Sequence, residues 1–198
     1  MPKKAGTEKN RTKLDWKKKR RQEYLEMKQY RYYIFCEGQQ TEPKYFTGFK
    51  RLIEGNPIYK DMVLIEIEPC QAETMRVIRM AEDYVKKNKI QKGQVWFLLH
   101  FAYYTANDHR TEYASFLNDK FKELGFGKYQ KNMDDIFTIL MEHGNPKLAI
   151  RYAKRIIKDG EEKTPSEIAP GTKVYELVEK LEKYLPEKVQ TNFVEENQ

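Results

Sequence analysis

Residues 31–46 read RYYIFCEGQQTEPKYF. Arg31 to Cys36 is rich in aromatic and β-branched side chains, which suit a buried strand, and Gly38 ends the run. Thr41 or Glu42 can cap a helix with Pro43 in its first turn. Tyr45, Phe46, Phe49, Leu52 and Ile53 then recur at helical spacing until Gly55. The stretch predicts strand, short loop, helix, and it leaves one carboxylate, Glu37, at the strand's end. Local pattern alone leaves Glu37 open, either a solvated turn residue beside Gly38 or a functional group.

The same alternation continues outward. Val63, Ile65 and Ile67 alternate with Leu64, Glu66 and Glu68, predicting a second strand over Met62 to Glu68. Thr74, Val77, Ile78, Ala81 and Val85 predict the buried stripe of a helix ending near Lys89. Gln94 to Phe101 (QVWFLLHF) reads as a third strand, although an apolar run without alternation can also begin a helix.

Beyond it the pattern is helical. One helix carries Tyr113, Phe116, Leu117, Phe121 and Leu124 and closes at Gly125; a shorter one carries Ile136, Phe137, Leu140 and Met141 and closes at Gly144. Asn145-Pro146 starts another, with Leu148, Tyr152, Ala153, Ile156 and Ile157 expected on its core side. After a turn-rich loop from Gly160 to Gly171, Val174, Leu177, Val178, Leu181 and Leu185 predict the last helix. The fold class is therefore α/β, a mostly parallel sheet flanked by helices with a helical C-terminal half. Functional groups in such sheets collect at the carboxyl ends of the strands, where Glu37 falls.

A chain of 198 residues fits one well-buried domain. We divide it into a basic, disordered arm over 1–22, a single domain over 23–185 and a polar, frayed tail over 186–198. The arm holds ten Lys or Arg against Glu8 and Asp15, a balance of +8, while the whole chain is +7; residues 23–198 thus sum to −1. The basic character is assigned to the arm and its run Lys17, Lys18, Lys19, Arg20 and Arg21, as a nucleic-acid contact or a solvated extension.

No apolar stretch approaches the roughly 20 residues that cross a bilayer, and the N-terminus lacks the apolar core of a signal peptide, so a soluble, cytoplasmic protein is expected. Cys36 and Cys70 are too few for a disulfide framework, and no Cys or His pair has zinc-ligand spacing. P-loop, Rossmann glycine, His-Glu-x-x-His and Gly-x-Ser-x-Gly motifs are lacking.

Taken in order, CEGQQTEPKYF at 36–46, LLHF at 98–101 and APGTKVYELVEKL at 169–181 resemble the RloB-like proteins, prokaryotic proteins linked to restriction and phage-defence loci. The resemblance implies a Toprim-like α/β fold and a nuclease that hydrolyses nucleic-acid phosphodiesters with Mg2+. It implies that Glu37 is the glutamate after the first strand, acting as general acid or base or helping to hold the divalent ion. Phosphoryl transfer needs such clustered hard oxygen ligands to neutralise developing charge.

Gly38, Thr41, Glu42 and His100 are the candidate phosphate or substrate contacts. Each has a structural alternative: Thr41 as a cap, Glu42 as a charge at a helix N-terminus, His100 as a hydrogen-bonded, partly buried imidazole. A partner protein from a defence operon is a further expectation.

The chain departs from the family pattern at one place. A strand like Gln94-Val95-Trp96 should continue into an Asp-x-Asp element, followed by an Asn-Pro-x-x-Glu segment, before the Leu-Leu-His-Phe string; here Phe97 follows Trp96 directly. We read this as an internal deletion that removes the aspartate pair supplying the main Mg2+ ligands. The complete form is then the nuclease, and the shortened chain is expected not to cleave. The alternative class is a non-catalytic module that binds nucleic acid or protein through the arm and the helical half.

Overall fold

The computed structural model describes residues 17–21, 23–24, 27–90, 93–98, 110–130, 132–160, 173–190 and 192–193. Three parallel strands, β1 (Tyr30–Cys36), β2 (Val63–Pro69) and β3 (Gln94–Leu98), form a sheet of order β2-β1-β3. Helix α1 (Thr41–Gly55) links β1 to β2, and α2 (Thr74–Lys87) links β2 to β3. The helical half follows as α3 (Arg110–Glu123), α4 (Ile136–His143), α5 (Pro146–Asp159), α6 (Val174–Glu182) and the short α7 (Glu187–Gln190). This bears out the α/β class and the parallel sheet.

Successive side chains of β1 point to opposite faces, so its unbroken apolar run implies cover on both sides. Tyr32, Ile34 and Cys36 join Phe46, Phe49 and Ile53 of α1 and Leu177, Val178 and Leu181 of α6 in one core. Tyr33 and Phe35 pack with Val77 and Ala81 of α2 in the other. Each such buried aliphatic or aromatic side chain contributes about 1.5–3 kcal/mol. The split also separates the thiols, since Cys36 lies in the first core and Cys70 packs against the second; both are free.

Four expectations change. Neither Thr41 nor Glu42 caps α1: the cap residue is Gln40, without a side-chain cap bond, and Thr41 and Glu42 lie in the first turn. The apolar face of α5 is only partly covered by the described residues: Ile150 packs against the first core, but none of the helix's residues is fully buried, and Tyr152 and Ile156 are 52% and 39% exposed. Periodicity identifies an apolar face but not what lies against it.

The polar tail of 186–198 also carries structure as far as Phe193. That ring is 6% exposed, with its centroid 6.0 Å from that of Phe49, and Gln190 Nε2 donates to the carbonyls of Leu185 (2.8 Å) and Lys183 (3.1 Å). In the basic arm, residues 17–21 are helical and exposed, and the Arg21 guanidinium lies 3.8 Å from the Glu66 carboxylate. The rest of the arm up to residue 16 lies outside the described residues. Among the described residues no helix is long and apolar enough to cross a membrane.

One carboxyl in α6 gives a pH prediction. Glu182 Oε2 is buried without a hydrogen-bond partner among the described residues. Burial first, then the Glu179 carboxylate, push the Glu182 carboxyl up to about 7 from 4.5, against the opposing pull of Lys154 and Lys183. The folded state therefore holds this proton more tightly than the unfolded one. Its contribution to stability is complete below about pH 4.5 and is lost as pH rises through about 7. Glu182→Gln should raise the urea midpoint at pH 8 and leave it unchanged at pH 4; an equal shift at both pH values refutes the assignment.

Candidate functional site at the carboxyl edge of the sheet

Parallel register brings the three strand ends to one edge. Cys36 pairs with Pro69 on one side and with Leu98 on the other. Two backbone bonds close that edge: Cys70 N–H donates to the Cys36 carbonyl at 2.8 Å and Glu37 N–H donates to the Leu98 carbonyl at 3.0 Å. In a 2-1-3 order the β1-to-β2 connection steps outward and the β2-to-β3 connection steps back past β1, and α1 and α2 accordingly cover opposite faces. The crevice of such a sheet opens between β1 and β3, where Glu37 is anchored.

Thr74, the first residue of α2, donates its hydroxyl to Glu37 Oε2 at 3.4 Å. The N-termini of α1 and α2 both face this edge, because each helix follows a strand that ends there. Their cap residues, Gln40 and Glu73, make no side-chain cap bond. Helix N-termini present backbone N–H groups and positive dipole ends, a favourable setting for anionic oxygens.

The two loops are tied together by Gln39 Nε2, which donates to Gln71 Oε1 at 2.5 Å. Gln71 itself is held at φ +46°, a left-handed conformation uncommon outside glycine and of the kind that clusters at functional sites. Cys36 is a poor nucleophile here: burial above all, then the Glu42 and Cys70 side chains, push its thiol up to about 12, so it stays protonated near neutrality.

Glu37, Gly38, Thr41 and Glu42 are thus brought to one edge, each half-buried. His100 lies outside the described residues. Sequence reading missed Gln39, in the first strand-to-helix loop, and also Gln71 and Thr74, which belong to the second such turn, PCQAET at 69–74. Glu66, on β2, is engaged by the Tyr84 hydroxyl and Arg21 rather than by this edge. Among the described residues no three His, Cys, Asp or Glu converge as a metal-holding group. The described residues therefore do not by themselves make the Mg2+ site that the resemblance implies.

The molecule is an α/β protein whose central parallel strand ends in a carboxylate at the topological switch point. The family model described as RloB-like protein matches residues 90–181, and over that segment the chain is similar to the family. The match takes in β3, α3, α4, α5 and most of α6; Glu37 and its loop precede it. No curated protein and no solved structure matches the chain.

Proposed function

We propose that the protein is an RloB-like, Toprim-like defence protein whose complete form hydrolyses nucleic-acid phosphodiesters at the edge carrying Glu37. The observation that carries this reading is the placement of Glu37 between β1 and β3, fixed by its own N–H on Leu98 and flanked by two helix N-termini. A carboxylate so held can take a proton from an attacking water or give one to a leaving oxygen. The helix N-termini can receive the phosphate oxygens, and the basic run Lys17 to Arg21 can hold the backbone by charge.

Mg2+, as the resemblance implies, would neutralise charge on the phosphate, with Glu37 as one of its carboxylates. The remaining ligands would be the aspartate pair that the resemblance implies for the absent segment. Trp96 and Phe97 are consecutive residues of β3, so that segment would leave and re-enter the sheet within one strand.

The test compares the present chain with one carrying the Asp-x-Asp segment of an RloB-like relative between Trp96 and Phe97. Both would be incubated with end-labelled single-stranded and duplex DNA and RNA, with and without Mg2+. Cleavage is expected only from the restored chain and only with the metal. A restored chain that folds and binds the strands without cutting them would overturn the nuclease and leave the non-catalytic binding module.

A further inference from the structure

Helix α5 carries Lys147, Arg151, Lys154, Arg155 and Lys158 against a single acid, Asp159. Lys147, Arg151, Lys154 and Lys158 recur at spacings of four, three and four, which places them on one face. The eleven helical steps from Lys147 to Lys158 extend that row over about 16 Å. Asp159 is turned to Arg155, 3.6 Å away, and Glu179 of α6 engages Lys154. Among the described residues no carboxylate lies within salt-bridge distance of Lys147, Arg151 or Lys158.

The row borders a cavity of about 400 Å3 lined by Lys147, Ile150, Arg151, Lys154, Glu179 and Phe193. Next to Arg151 in the chain, Tyr152 is 52% exposed, and the Arg151 guanidinium lies 5.9 Å from its ring. The net charge of −1 over residues 23–198 hides this segregation.

We infer that α5, with the cavity it shares with α6, is a second nucleic-acid site, which holds the phosphates of a single strand along its basic row and stacks a base on Tyr152. The inference rests on the reading that the protein acts on nucleic acid, and it adds a backbone contact on the folded body to that of the arm. A row of cations with an exposed aromatic ring is the combination that single-strand binders use. An acidic peptide would use the charges but would leave Tyr152 without a role.

The test uses the full 198-residue chain and a fluorescein-labelled single strand of about 12 nucleotides, titrated across a salt series. Lys147→Gln/Arg151→Gln should lower the log–log salt slope by about 1.4, at ~0.7 per phosphate contact on a single strand. Tyr152→Ala should weaken binding at least about fivefold with the slope unchanged. Arg151 and Tyr152 are exposed and Lys147 is half-buried, so folding is checked by urea midpoints.

If the wild type binds and neither variant changes slope or affinity, α5 is a solvated face: the inference falls and the nucleic-acid reading survives on the arm. If the wild type does not bind the strand, both fall. Displacement of the strand by polyglutamate at equal charge concentration would overturn the assignment in favour of an acidic peptide.

Discussion

Gly48→Ala should destabilise the protein by about 2–3 kcal/mol, lowering the urea midpoint by roughly 1 M or more. In most helix interiors the same change stabilises by up to about 1 kcal/mol, so the expected sign is opposite to the propensity scale. The reason is the α1–α4 contact. A Cβ on Gly48 would sit 2.0 Å from Phe137 Cγ, 2.4 Å from its Cδ1 and 2.5 Å from its Cβ. The ring cannot swing aside freely, because its centroid lies 5.1 Å from that of Phe49 and 5.6 Å from that of Tyr45.

Phe137→Ala should itself cost about 3–5 kcal/mol through the cavity it leaves. The double variant should then cost less than the sum of the two by on the order of 2 kcal/mol, because the new methyl enters vacated space. Gly55, at the end of the same helix, has nothing within 4 Å of a built Cβ and serves as the neutral control. A Gly48→Ala protein as stable as the wild type would mean that α4 does not pack on α1 through Phe137.

This contact shows what a local reading could and could not deliver. The apolar spacing of Phe46, Phe49 and Ile53 marks the inner face of α1, and Phe137 marks that of α4. That Gly48 is the point where the two helices touch is a tertiary fact. The same limit explains Phe193, one aromatic residue in a polar tail with no periodic neighbours, buried because it packs against Phe49.

Glu37 was legible because a strand end, a glycine and a helix start are local signals. Thr74 and Gln71 were not, since only the β1–β2 register brings residues 37 and 74 together across the sheet edge. Averaging charge over the body likewise concealed α5, four of whose five bases share one face while all but one of the acids lie on other parts of the chain. The family match, over residues 90–181, includes α5 and excludes Glu37. The candidate site therefore rests on fold geometry together with the first motif.

The largest functional effect is expected from Glu37→Gln, measured in the segment-restored protein. Gln keeps the shape and can still accept from Thr74, but it cannot exchange a proton with water or a leaving oxygen. Loss of a positioned acid or base costs about 10^2–10^4 in rate. The backbone bond from Glu37 N to Leu98 O does not involve the side chain, so the edge should stay closed.

A carboxylate held for chemistry among anionic ligands gives up some stability and some affinity. Glu37→Gln should accordingly leave the urea midpoint unchanged or slightly raised, and should bind a single strand more tightly when Mg2+ is absent, since one repulsive charge is gone. A structural Glu37, valued for its Thr74 hydroxyl and its place beside the α2 N-terminus, predicts the reverse pairing. It would lower stability by on the order of 1 kcal/mol and leave cleavage intact. Urea midpoints, cleavage rates and metal-free strand affinity, taken together on both proteins, separate the two roles; lost stability with undiminished cleavage would refute the catalytic one.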